Sequence, residues 1–243
     1  MTVVATLVVA TLLGCSDEVE LPAPSREAVH VTDGYWPVVQ INDRLKKAGP
    51  CTGVLVSEEA VLSAAHCFPI GRTDIEIGND YFEAIADVVE LMVPPSRESN
   101  SHDIAILKIT SITKGTPTFY PIGSHIDIRN LIRLVGYGHL YSHRDFAKRT
   151  GTNIIFEKND FLEIQYAEPA QGVRGAYNRA GGTEGDSGGP FLLYENGQYY
   201  VVGLVQSRDT NRSKTYGVDL TRPENRAFIQ KANREHNLKI RAF

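Results

Sequence analysis

Between residues 36 and 220 the chain alternates short apolar runs with polar turns. The runs are WPVVQI, TGVLVS, AVLSAA, DIEIG, AIADVVELMV, DIAILKI, LIRLVGYG, FLEIQYA, PFLLYENGQYYVVGLV and TYGVDL. Val, Ile, Leu and Tyr dominate them, and Gly, Asn, Asp and Pro separate them. Runs of strand length at this spacing predict an all-β barrel or sandwich rather than alternating βαβ units. Within LLYENGQYYVV, Asn196-Gly197 is a turn signal that tolerates positive φ, so this run reads as a hairpin. One long helix is predicted, over 224–236 (ENRAFIQKANREH). It sets Ala227, Phe228 and Ile229 on one patch with Ala232 a turn later. No internal repeat stands out.

The N-terminal pattern differs. The first 14 residues, MTVVATLVVATLLG, carry no charge. They are too few for a bilayer-spanning helix, which needs about 20 apolar residues, and read as a secretory signal. Residues 16–27, SDEVELPAPSRE, are acidic and proline-bearing and read as a tether or propeptide. The folded domain is expected over 28–243, its two halves dividing near 120. A chain of 243 residues, 42% hydrophobic, suffices for one large domain or two packed halves. A net charge of −4 and a pI near 6.0 carry no nucleic-acid footprint. Of three cysteines, Cys15 directly follows Leu12-Leu13-Gly14. This resembles the bacterial lipobox, which implies cleavage before Cys15 and acylation of it. Two or more acyl chains anchor a protein stably. Ser16, where an Asp signals inner-membrane retention, implies the outer membrane of a bacterial envelope; the alternative is an ordinary signal peptide, with Cys15 there by chance, and a secreted protein. The membrane is then met through the anchor alone.

Acyl-transfer chemistry needs a nucleophile, a base, a group that orients the base, and donors for the oxyanion. GGTEGDSGGP, residues 181–190, offers Ser187 between small neighbours that let a substrate carbonyl come close. The N–H groups of Gly185 and Ser187 are the candidate oxyanion donors. GDSGG also satisfies the nucleophile elbow of α/β-hydrolases, but that class needs its acid and then its histidine after the serine. Only His236 follows Ser187, in a polar helix, so order and architecture exclude it. The base must come earlier. VLSAAHC (61–67) supplies His66, and HDIAILKI (102–109) supplies Asp103 at the head of an apolar strand. An aspartate there is costly unless hydrogen-bonded, and an imidazole N–H is a fitting partner. His139 and His143 are four apart, but they follow GYG in a loop, where helical metal-ligand spacing does not apply. Neither a metal nor another cofactor is expected. The basic run YSHRDFAKRT (141–150) reads as solvated surface.

His in AAHC, Asp in DIAIL and Ser in GDSGGP, in that order, closely resemble the chymotrypsin-like (trypsin-fold) serine proteases. WPVVQI, CTGVLVS, the GYG of 136–138 and GVDLTRPENRAFI (217–229) extend the resemblance over roughly 28–240. It implies two six-stranded antiparallel β-barrels, with the active site between them and a C-terminal helix. It further implies a Ser187–His66–Asp103 triad acting on a protein or peptide substrate, and a monomer. Cys51 stands 16 residues before Cys67, as in the family, which implies a disulfide pinning the histidine loop. Closing a loop of that size is worth about 3 kcal/mol in the chain-entropy model. The rival class is a catalytically silent homologue that only binds proteins; its usual sign is a broken triad, and here all three residues are present.

Three departures from the family matter. Gly181 stands where an Asp selects basic side chains, so that preference is not implied. Gly217 matches a pocket-wall glycine, Arg208 stands where a second wall glycine falls, and Asp219 falls near the pocket floor, pulling preference in opposite directions. Thr183 replaces the pocket cysteine, which predicts walls held by packing and hydrogen bonds, and Gln206 or Ser207 stands where a serine supports the triad aspartate. Finally, no Ile-Val-Gly-Gly is present to pair with Asp186, the activation carboxylate. Either a cut between about Arg26 and Val31 supplies a new N-terminus, or Asp186 is paired internally.

Overall fold

The computed structural model describes residues 29–42, 51–68, 73–93, 102–139, 147–166 and 180–241. Cys15, the signal and tether of 1–27, and His143 lie outside the described residues. Strands β2 (Val38–Asn42), β3 (Cys51–Leu55), β4 (Ala60–Ser63), β5 (Ile75–Gly78), β6 (Glu83–Met92) and β7 (Ile104–Lys114) form the first unit. They close as an antiparallel barrel in the order β2-β3-β4-β7-β6-β5. The second unit holds β8 (Leu131–Gly136), β9 (Arg149–Ile154), β10 (Glu157–Lys158), β11 (Leu162–Gln165), β12 (Pro190–Glu195), β13 (Gln198–Asp209) and β14 (Lys214–Asp219). With the short β1 (Val29–Val31) they make one sheet, ordered β1-β9-β8-β12-β13-β14-β11-β10. The expected six strands are its centre, and β1 and β10 extend its two edges. Among the described residues no backbone ladder joins β9 to β11, so this sheet is a half-barrel. Across that gap the buried Asn153 side chain donates to the carbonyls of Gln165 (2.9 Å) and Ala180 (2.7 Å).

Several first-barrel runs look continuously apolar because both faces of their strands are covered. Val39, Leu55, Val61, Ala105 and Leu107 fill the barrel interior. Their chain neighbours Val38, Val54, Leu62, Ile104 and Ile106 point the other way. These join Val135, Leu192, Leu204 and Val218 of the second unit in a shared core. The period of two is therefore present, but both phases are apolar. The hairpin forms as predicted, with Asn196 and Gly197 at φ 50 and 83 between β12 and β13.

The helix α1 (Pro223–His236) follows β14, with Pro223 in its first turn. Its buried residues are Asn225, Ile229 and Ala232, spaced i, i+4 and i+7. Ala227, expected on the apolar patch, is exposed, and Phe228 is half-buried. The 3.6-residue period aligns Asn225 with Ile229 instead, and the Asn225 amide donates to the carbonyl of Asp219 (2.7 Å). Among the described residues no helix is long and apolar enough to cross a membrane.

Candidate active site

Register delivers the first two residues. In the β4–β7 ladder Ser63 faces Ala105, so Asp103 arrives just where the chain leaves β4. There Ala65–Cys67 form a single 3₁₀ turn that presents His66. The Cys51–Cys67 disulfide ties this turn to the start of β3. Asp103 grips the histidine twice. The His66 backbone N–H donates to Oδ1 (2.9 Å), and ring Nδ1 bonds to Oδ2 (2.6 Å). The carboxylate is 2% exposed and the imidazole 47%. A neutral ring that donates from Nδ1 carries its lone pair on Nε2.

Ser187 approaches from the second unit, ahead of β12. Its carbonyl accepts from the N–H of Thr52 (2.9 Å), and Cys67 Sγ lies 3.9 Å from the same oxygen. The disulfide corner that presents His66 therefore also holds the Ser187 backbone. Gly188, at φ 82, makes the close approach possible. A Cβ there would lie 2.1 Å from Ser63 Oγ and 2.4 Å from the Thr52 carbonyl. Among the described residues the Ser187 hydroxyl makes no hydrogen bond. Nucleophile–base contacts are commonly loose without substrate.

The peptides that carry the two expected oxyanion donors are held by their carbonyls. Glu184 O accepts from His139 N (3.1 Å), and Asp186 O accepts from Gly189 N (2.8 Å). In a trans peptide the N–H points opposite to the C=O. The N–H groups of Gly185 and Ser187 therefore face away from these anchors, and among the described residues neither has an acceptor.

The carboxylate of Asp186 turns inward. Oδ1 accepts from Gly138 N (2.7 Å), and Oδ2 accepts from Thr183 N (2.8 Å) and the Thr183 hydroxyl (3.2 Å). Burial pushes its pKa above the ordinary carboxylate range; these donors and the positive charge of Arg149 oppose that shift without cancelling it. The glycines of GYG make room for it: a Cβ on Gly136 would lie 2.1 Å from Oδ1, and one on Gly138 2.4 Å from Oδ2. Arg149 is buried on β9 and donates to the carbonyl of Gly138 (3.0 Å). The basic run read as solvated surface thus ends in buried Lys148, Arg149 and Thr150. No local pattern singles out Arg149, because besides the nearby Ala147 carbonyl (3.2 Å) it acts on Gly138 and Asp186, which are distant in sequence.

The expected pocket positions occupy several settings. A Cβ on Gly181 would lie 2.3 Å from the ring of Tyr166, so a side chain not singled out in the sequence fills that space. A Cβ on Gly217 would lie 2.8 Å from the ring of Phe191. Arg208 faces Thr215 across the β13–β14 ladder. Gln206 is the extra residue of a β-bulge in that ladder, and Ser207 Oγ bonds to Gln206 Oε1 (3.1 Å). Asp219 is fully buried at the start of the turn to α1. Its Oδ1 accepts from the N–H (2.8 Å) and hydroxyl (2.7 Å) of Thr221, and Lys158 Nζ lies 3.7 Å from Oδ2. Oδ1 is thus committed to that turn, whereas Oδ2 is buried and among the described residues has no hydrogen-bond partner. A cavity of about 740 Å³ opens elsewhere, lined by Thr32, Asp33, Gln40, Asp80 and Lys148, and none of His66, Asp103 and Ser187 lines it.

The two-unit β fold matches that of the trypsin-like proteases, and comparison with known proteins agrees. The family model described as Trypsin matches residues 26–223. The chain belongs to the trypsin family. It is similar to vitamin K-dependent protein C of Mus musculus, at 25% identity over 217 residues, covering 76% of this chain and 46% of that protein. Protein C of Oryctolagus cuniculus is 26% identical, with 71% and 43% covered. Venom serine protease Bi-VSP of Bombus ignitus is 27% identical, with 71% and 58% covered. The chain thus spans about half the length of these curated relatives, all from animals.

Proposed function

We propose that the protein is a serine endopeptidase that cleaves peptide bonds through an acyl-enzyme on Ser187. The hydroxyl oxygen attacks the scissile carbonyl carbon while its proton passes to Nε2 of His66. The resulting oxyanion accepts from the N–H groups of Gly185 and Ser187, and Asp103 steadies the imidazolium. Collapse breaks the C–N bond, and His66 returns the proton to the leaving amine. Water, deprotonated by the same base, then releases the acid and restores Ser187. The observation that carries this reading is the double hydrogen bond from His66 to a buried Asp103, which orients an otherwise half-exposed imidazole. The two unspent N–H groups support it over a silent homologue, since a collapsed oxyanion site would have spent or reversed them.

We also infer that the site needs no inserted N-terminus. Three donors and the charge of Arg149 already partner Asp186, though burial outweighs them in its pKa, and Val29–Val31 are paired with β9. The test is labelling by a fluorophosphonate probe, on protein beginning at Ser16 and on protein trimmed to Ala28. Both forms should label, and Ser187→Ala should abolish labelling while leaving thermal unfolding unchanged. Labelling of the trimmed form alone would return the activation cut. Labelling of neither would leave the silent homologue. For localisation, the Leu12-Leu13-Gly14-Cys15 sequence supports a lipid anchor on a bacterial envelope.

A further inference from the structure

Thr52, the second residue of β3, is fully buried and reaches across to the second unit at three points. Its hydroxyl donates to the carbonyl of Gly185 (2.8 Å) and accepts from the N–H of Tyr137 (3.0 Å). Its own N–H donates to the carbonyl of Ser187 (2.9 Å). Its carbonyl in turn accepts from Ser63 Oγ (2.8 Å), so Thr52 is fixed from within its own barrel. A hydroxyl has a single hydrogen. Donating it to Gly185 while accepting from Tyr137 determines its direction.

Gly185 is the weak point of the nucleophile loop. It sits at φ 100, and without a Cβ it can reach several backbone conformations at small cost. The peptide before it is anchored at Glu184 O by His139 N; the peptide after it is anchored at its N–H, which Asp186 donates to Thr183 O (3.0 Å), and at Gly185 O by Thr52 Oγ1. The first anchor sets the plane that carries the Gly185 N–H, and the bond from Thr52 restrains the next plane, whose rotation about the Gly185 Cα would drag the first with it. We propose that Thr52 is a positioning residue for the oxyanion donors, and that its hydroxyl, rather than its bulk, locks the Gly185 N–H toward the reacting carbonyl. This rests on the hydrolase reading of Ser187. It adds that the first barrel sets the oxyanion geometry as well as supplying base and acid.

The test compares Thr52→Val, which keeps the shape and removes the hydroxyl, with Thr52→Ser, which keeps the hydroxyl. Saturation labelling with the fluorophosphonate separates the limiting rate from the binding constant. Displacement of a catalytic donor by about an ångström costs on the order of 100-fold in rate. Thr52→Val should lower the limiting rate by about 10- to 100-fold with binding within about twofold of wild type, and Thr52→Ser should recover most of the rate. Amide hydrogen exchange over 183–189 should quicken in Thr52→Val and return to wild type in Thr52→Ser. An unchanged rate and exchange in Thr52→Val would overturn the proposal. Equal losses in both variants, with weakened binding, would also overturn it by showing packing to be what matters. An unlabelled wild type would sink the hydrolase reading instead. Exchange would then decide the Thr52 tether by itself: quickened exchange in Thr52→Val upholds it, and unchanged exchange removes it.

Discussion

A carboxylate at 2% exposure, heading a strand of Ile, Ala, Ile and Leu, must be satisfied locally or take up a proton. Among the described residues Asp103 is satisfied by a single partner residue, His66, through backbone and ring together. The bond to the backbone places the turn, and the bond to Nδ1 selects the ring tautomer. Asp103→Asn separates the two. An amide at 103 can still accept from the His66 N–H, but its other arm donates and favours the wrong tautomer. In the Ser-His-Asp template this substitution lowers kcat about 10⁴-fold with geometry intact. The expectation here is a comparable fall in the rate of fluorophosphonate labelling at neutral pH, with near-wild-type thermal unfolding. A variant that unfolds instead would show that the pair acts on stability first.

At the scale of elements, the walls near the nucleophile lack the family's cross-linking cysteine, and Thr183 stands in its place. A buried ion pair on β11 and β14 cross-links the same region. Lys214 Nζ lies 2.7 Å from Oε1 of Glu163, whose side chain is 3% exposed. The register sets Glu163 opposite Tyr216 and Gln165 opposite Lys214, so the two charges are diagonal neighbours on one face. Removing one partner of a fully buried pair costs about 3–5 kcal/mol, and the partly solvated lysine places this case below that range, at about 2 kcal/mol. Lys214→Met should therefore lower the midpoint of chemical denaturation, while the double variant Lys214→Met, Glu163→Leu should recover most of the loss. The hydrogen bond to Glu163 raises the Lys214 pKa above its ordinary value. A group raised on folding contributes fully below its unfolded pKa and loses that contribution as pH climbs through the raised one. The difference between Lys214→Met and wild type should thus persist at neutral pH and shrink only in strongly alkaline solution.

At the scale of the molecule, the candidate site exists only where the two units meet. The candidate base and its orienting acid sit on the first barrel, and the candidate nucleophile and oxyanion donors sit on the loop ahead of β12. The shared apolar core brings the units together, and the Thr52 contacts and the disulfide corner set the fine alignment. Attachment of the whole protein to a surface is a separate matter. If Cys15 is acylated, Cys15→Ala should move the protein from the membrane fraction to the soluble one without altering probe labelling per molecule. Retention in the membrane fraction with an uncut N-terminus would remove the anchor.

Strand runs, the Asn196-Gly197 hairpin and the C-terminal helix were legible in the sequence, because each is governed by contacts a few residues apart. The order of AAHC, DIAIL and GDSGGP was legible too, since each motif carries its own local chemistry around His66, Asp103 and Ser187. The exposure of Ala227 was not, because Asn225 gains its burial from a carbonyl on another element, that of Asp219. Nor were the settings of Gly181, Arg208 and Asp219. A glycine's neighbour, such as Tyr166, and a carboxylate's partners, such as Thr221 and Lys158, depend on how distant segments pack. The sequence by itself determined the β class, the motif order and which residue types can perform acyl transfer. Only the tertiary structure decided that Arg149 lies by Asp186, that Thr52 holds Gly185, and which way the Gly185 and Ser187 N–H groups face. Those are long-range hydrogen bonds and charges, and their energies depend on distances that no local pattern encodes.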